Sequence, residues 1–125
     1  MQKPITSKEA PAAIGPYSHG FITGNMIFTS GQLPIDCVTG KFVEGGIKEQ
    51  TAQSIKNVIA VLKAADADLS DVVSVNVYLN DMNNFAEMNK VYAEYFTQNY
   101  PARTCVEVAR LPKDALVEIN VIATK

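Results

Sequence analysis

Among its 125 residues the sequence has no tryptophan, one histidine and two cysteines. Each shortage excludes a class of chemistry. With His19 alone and no Cys-x-x-Cys or paired-histidine spacing, no metal-ligand cluster is expected. A two-histidine acid/base pair of the kind used in RNA cleavage is out of reach for the same reason. Met1 to Ala10 holds Lys3, Lys8 and Glu9 but no apolar core, so no secretion signal is expected. Cys37 and Cys105 are therefore expected to be reduced thiols in the cytosol. No run approaches the ~18 apolar residues of a spanning helix, so no membrane partner is expected. Eleven basic residues against thirteen acidic leave no basic excess for nucleic acid. Gly-x-Ser-x-Gly, Walker and Gly-x-Gly-x-x-Gly loops are all absent.

What is present is a chain with 47% hydrophobic residues and a net charge of −2. Its length suits one domain over residues 1–125, burying roughly two-thirds of the unfolded surface without metal or disulfide. Tyr17 to Thr23 and Met26 to Gly31 flank Gly24-Asn25, which predicts a hairpin with a II′ turn. Pro34, Asp36, Gly40, Gly45 and Gly46 then mark a loop. Ile55, Val58, Ile59 and Leu62 predict an amphipathic helix over about Ile47–Ala65, with Glu49 favoured by the dipole in its first turn. Alternation from Val73 to Leu79 predicts a half-buried strand. A second helix follows Asp81–Asn84, with Phe85, Met88, Tyr92, Tyr95 and Phe96 on its apolar face and Pro101 beyond its end. Thr104–Arg110 and Val117–Ala123 read as the closing strands.

The order β-β-α-β-α-β-β, with a short extra strand near the N-terminus, points to an α+β sandwich: two helices on one face of a mixed sheet. Nothing in the chain is left to cover the other face, so association between copies is expected.

Chemistry concentrates in Pro101-Ala102-Arg103-Thr104-Cys105, Leu111-Pro112-Lys113 and Val117-Glu118-Ile119. Arg103 follows a proline at a strand mouth and offers a rigid fork of donors suited to a carboxylate. Cys105 shares its face by strand alternation. Glu118 points off the apolar side of its strand, and pairing of the two strands would bring it near Arg103 or Cys105. Each has a plainer reading: Arg103 as a surface ion pair, Cys105 as a small core residue, Glu118 as a solvated carboxylate. Tyr17, Asn89 and His19 read equally well as packing or hydrogen-bonded residues.

At these residues the sequence closely resembles the RidA/YjgF family of reactive-intermediate deaminases. The similarity runs nearly end to end, through Ala13-Ile14-Gly15-Pro16-Tyr17-Ser18, Phe28-Thr29-Ser30-Gly31-Gln32, Asn76 to Asp81, and Tyr100-Pro101-Ala102-Arg103 through Ile119. The resemblance implies a cytoplasmic, chorismate-mutase-like homotrimer with a ligand cleft at each subunit interface. It implies hydrolysis of 2-imino acids, formed from enamines released by pyridoxal-phosphate enzymes, to 2-oxo acids and ammonia, with no metal or organic cofactor. By the same resemblance Arg103 binds the substrate carboxylate and the backbone N–H of Cys105 adds a hydrogen bond. Glu118 positions and activates water, while Tyr17, Ser30, Gly31, Asn89 and Pro112 line the cleft. A non-catalytic 2-oxo acid sensor and a translation-inhibiting ribonuclease are the alternatives. Two positions depart from the family pattern. Thr104 stands where Ser is frequent, on the face away from Arg103. Asp66 ends the first helix where Gly is frequent, and a left-handed conformation there costs roughly 1 kcal/mol.

Overall fold

Gly24 takes φ +58 and Asn25 stays out of the positive-φ region, the pattern of a II′ turn. That turn joins β2 (Gly20–Thr23) to β3 (Met26–Thr29). The computed structural model describes residues 2–125. Before the hairpin lies the short N-terminal strand, β1 (Gln2–Ile5). After it come α1 (Ile47–Lys63), β4 (Val72–Leu79), α2 (Phe85–Tyr95), β5 (Ala102–Glu107) and β6 (Val117–Thr124). The strands form one six-stranded sheet in the order β1-β2-β3-β6-β4-β5. Only β4 and β5 run parallel, as the intervening α2 requires. The expected α+β architecture with a mixed sheet is what the chain adopts.

Strand alternation sorts the sheet into two faces. Val75, Val77, Leu79, Val117, Ile119 and Val121 point to one and are almost fully buried. Ile55, Val58, Leu62, Met88 and Tyr92 of the two helices complete that core. The opposite face carries no helix. Phe21 and Phe28, paired across β2 and β3, are 41% and 37% exposed there, and Val106 is 39% exposed. No helix among the described residues is long and apolar enough to cross a membrane.

Element ends differ from the periodicity in places, each with a local cause. β5 stops at Glu107 instead of Arg110, because its partner β4 ends at Leu79; the Val108 N–H makes the last bond, to the Leu79 carbonyl. β2 begins at Gly20 instead of Tyr17, since the Ser18 carbonyl is taken by the Ser30 hydroxyl. The first helix closes two residues early. Asp66 takes φ +57, while Asp66 N–H donates to Lys63 O and Ala67 N–H to Leu62 O, the paired bonds of a Schellman ending. At the other end, Glu49 accepts from the Gly46 N–H at 2.9 Å, satisfying a donor next to the helix start.

His19 sits buried just before β2. Its Nδ1 accepts from the Ser7 N–H at 2.9 Å and its Nε2–H donates to the Pro11 carbonyl at 2.7 Å. Both ring nitrogens are committed to tying the N-terminal segment down, so the structural reading of this residue holds. Cys37 is exposed and Cys105 half-buried, both free thiols.

Candidate functional site

The β3–β6 ladder is interrupted where Ser30 and Gly31 leave it. Ile27 and Phe28 pair with Ala123 and Ile122. Then the Thr29 hydroxyl, not a backbone carbonyl, accepts the Val121 N–H at 3.0 Å. Pairing resumes only at Gln32, which exchanges backbone bonds with Ile119 at 2.7 and 3.2 Å. The Ser30 hydroxyl donates to the Ser18 carbonyl and its N–H to His19 O, holding the departing segment toward Tyr17.

An open cleft of about 320 Å³ results, lined by Ile14, Tyr17, Ser30, Gly31, Leu33, Pro112 and Glu118. Glu118 alternates out of the buried Val117–Ile119 pattern and lies over Gly31. A β-carbon on Gly31 would come within 2.7 Å of the Glu118 carboxyl carbon, so glycine makes room for this side chain. Partial burial with no compensating donor pushes the Glu118 carboxyl above its ordinary pKa.

Pro112 reaches the cleft from a tight turn in which Lys113 and Asp114 both take left-handed conformations, φ +55 and +59. Two successive non-glycine residues there cost on the order of 1–2 kcal/mol each. Bonds from Asp114 N–H to Leu111 O and from Ala115 N–H to Pro112 O hold the turn. So does buried Gln50 of α1, whose Oε1 accepts the Leu116 N–H at 2.9 Å. Asn57, two turns further along α1, donates to both the Leu33 and Ile35 carbonyls at 2.9 Å. One polar stripe of α1 thus fixes both loops that wall the cleft.

Arg103, Cys105 and Asn89 gather elsewhere. Arg103 lies second in β5, on the helix-covered side, and its Nη1 donates to Asn89 Oδ1 at 2.8 Å. Its guanidinium carbon stands 4.6 Å from the Tyr92 ring centre and 5.6 Å from that of Phe85. Among the described residues no carboxylate lies within 4.0 Å of it. The surface ion-pair reading of Arg103 therefore finds no partner among the described residues. Cys105 shares this face and packs at the core margin. Burial raises its thiol pKa, outweighing the opposing pull of Arg103, which keeps it a thiol at neutral pH.

The candidate residues thus divide into two groups, and the expected closeness of β5 to β6 does not occur. β4 lies between them: Tyr78 opposes Glu118 on one side and Val106 on the other, whereas Val75 opposes Arg103. Arg103 and Glu118 consequently point to opposite faces of the sheet. Thr104, opposite Asn76, faces away from Arg103 as expected. Gln50, Asn57, Phe85 and Tyr92 were legible only as helix-face residues. The sole hint was Asn89, an amide set between Phe85 and Tyr92 at helical spacing in an otherwise apolar stripe. No group of three or more His, Cys, Asp or Glu side chains that could hold a metal occurs among the described residues.

Comparison with known proteins covers the same span. The family model described as Endoribonuclease L-PSP matches residues 7–125. A RutC family protein of Pyrococcus horikoshii is 54% identical over 125 residues, covering 100% of this chain and 99% of its own. The 2-iminobutanoate/2-iminopropanoate deaminase of Salmonella typhimurium is 46% identical over 128 residues, covering 100% and 99%. Of solved structures, the YjgF gene product from E. coli superposes with a TM-score of 0.94 at 45% identity, covering 98% of each chain. E. coli TdcF with bound serine gives 0.94 at 42%, also covering 98% of each. By the family model over residues 7–125, the identity with these relatives and the fold shared with the YjgF structure, the chain belongs to the RidA/YjgF family.

Proposed function

We propose that this protein hydrolyses 2-imino acids, and the enamines that tautomerise to them, to 2-oxo acids and ammonia, in clefts completed between copies of the chain. The observation that carries this reading is the state of Arg103: a guanidinium oriented by an amide and two aromatic rings, with no carboxylate to neutralise it. Such a fork is a receptor for a carboxylate brought by a ligand. Glu118, a carboxylate raised in pKa by burial, supplies the second requirement.

In this mechanism the substrate carboxylate docks on Arg103, with the Cys105 backbone N–H adding a bond. Tyr17, Ser30, Gly31 and Pro112 enclose the imine, and Asn89 steadies the guanidinium. Glu118 takes a proton from water as its oxygen adds to C2 of the protonated imine. The same proton then passes to the nitrogen; as the C–N bond breaks, ammonia leaves and Glu118 takes the hydroxyl proton, closing the 2-oxo group. One imine and one water yield one 2-oxo acid and one ammonia, with no redox change and no cofactor. A carboxylate with a raised pKa accepts and returns a proton near neutral pH more readily than an ordinary one. The protonated imine is already electrophilic, so much of the acceleration comes from positioning.

Opposite-face placement of Arg103 and Glu118 calls for two copies per site, and the bare apolar face of the sheet supports association through it. We infer a homotrimer in the cytoplasm, with the two groups brought together at each interface. The deaminase name of the Salmonella relative and the serine bound to TdcF support an amino-acid-sized ligand. The family model's ribonuclease description finds less support, because the only histidine is buried with both nitrogens engaged.

The test is decay of 2-iminobutanoate generated in situ by a threonine dehydratase, with the remaining imine trapped by semicarbazide. Acceleration by the wild type and not by Arg103→Ala is the expected result. Binding of 2-oxobutanoate without any acceleration would instead identify a 2-oxo acid sensor.

A further inference from the structure

Arg103 is a long, flexible side chain on an edge strand, yet three residues of α2 meet its guanidinium. Tyr92, on α2, is 8% exposed. One face of its ring stacks on Phe96, centroids 4.4 Å apart and planes 22° from parallel. Its ring centre also lies 4.6 Å from the Arg103 guanidinium carbon, against 5.6 Å for Phe85. Asn89, three residues earlier and on the same helix face, takes a hydrogen bond from Nη1. A guanidinium has five N–H donors, and these contacts use one of them. The rest stay available.

The Tyr92 hydroxyl contributes nothing to this arrangement. It is buried with no hydrogen-bond partner, a state that costs stability and that a phenylalanine would avoid. The useful part of the residue is therefore its ring, whose negative face attracts a cation. Phe96 packs against the same ring from the core side.

We propose that Tyr92 is a positioning residue, its ring face holding the Arg103 guanidinium at the sheet edge with its remaining donors free for a carboxylate. The assignment rests on the carboxylate-anchor reading of Arg103 for its consequence, though not for its geometry. A ring platform orients a cation without neutralising it. An acidic partner in the same place would orient it equally well but compete with the substrate.

The experiment reads geometry and binding separately. In isotope-labelled protein, the Arg103 δ-protons should carry an upfield ring-current shift and the Nε–H should be ordered. Tyr92→Met should abolish the shift and mobilise the Nε–H. It should also weaken 2-oxobutanoate binding by roughly 2- to 5-fold, the range of an exposed cation–π attraction. Tyr92→Phe, which keeps the ring, should preserve the Arg103 signature. Phe96→Leu removes core volume without removing the ring beneath Arg103, and should leave the signature in place even if stability falls. Should Tyr92→Met not fold, pentafluorophenylalanine at this position keeps the shape and removes the negative face, and it should weaken binding as the methionine would. An unchanged Arg103 signature in Tyr92→Met, or equal losses in the Phe96→Leu protein, would overturn the proposal. So would full binding by the fluorinated protein. Arg103→Ala run alongside separates the two readings: undiminished 2-oxobutanoate binding there would remove the carboxylate anchor, while the spectra still decide the platform.

Discussion

Arg103 and Glu118 stand two strands apart on opposite faces of one sheet, with β4 between them. Val75 marks the face of the first and Tyr78 the face of the second. Two strand spacings of about 4.8 Å and a three-residue offset of about 10 Å along the strands put their backbones roughly 14 Å apart, and their side chains diverge from there. No single chain can present both to one small substrate. Whatever chemistry joins them is a property of an assembly.

Replacing the guanidinium should reveal its role. Arg103→Ala should lose roughly 30- to several-thousand-fold in the rate of imine hydrolysis, the equivalent of about 2–5 kcal/mol for one lost partner of a desolvated pair. Arg103→Lys should fail substantially as well, because a point charge does not reproduce the fork. The measurement is kcat/KM on 2-iminobutanoate, with circular dichroism to confirm that both variants fold.

Glu118→Gln should lower the rate by about 10²- to 10⁴-fold, the usual worth of a general acid–base. Its effect on stability has a defined sign. Burial raises the folded-state pKa above the unfolded one, so the ionised form opposes folding. Glu118's favourable contribution is complete below the unfolded value and is lost as pH rises through the folded one. Glu118→Gln should therefore gain thermal stability over the wild type across that window, and the gain should vanish in acid. Melting curves from acid to neutral pH check this.

Gly31→Ala should impair turnover more than folding. The added methyl meets the flexible end of Glu118 and not backbone, so the carboxylate shifts while the ladder around Gln32 stays. A displacement of about 1 Å can cost on the order of 100-fold in rate. Comparing kcat with the melting midpoint in this variant separates the two effects.

Asp66→Gly should stabilise the fold by up to about 1 kcal/mol, because glycine accepts φ +57 without a β-carbon penalty. Its position at the end of α1, away from both residue groups, predicts no change in catalysis. Denaturant midpoints together with the imine assay test both statements.

Much of the fold was legible because its signals are local. Ile55, Val58 and Leu62 carry the helical period, Val73 to Leu79 the strand period, and Gly24-Asn25 the turn. Each of these depends on residues a few positions apart. Strand order does not. Nothing between Arg103 and Glu118 says that β4 will separate them, so the facing of the two residues emerges only from non-local pairing. Gln50 and Asn57 were hidden for another reason. Polar residues flanking an apolar stripe read as solvated, yet these two are buried because they satisfy backbone groups of loops distant in sequence. Tyr92 was legible as a core residue, but its second face, against Arg103, depends on where β5 docks.

The most direct test of a site shared between copies is to mix two dead proteins. Arg103→Ala retains Glu118, and Glu118→Gln retains Arg103. If each cleft draws one group from each of two neighbouring copies, subunits exchanged at equal ratio should restore about a quarter of wild-type activity by random assembly of a cyclic oligomer. A mixture that is folded, demonstrably exchanged and still inactive on 2-iminobutanoate would contradict the account.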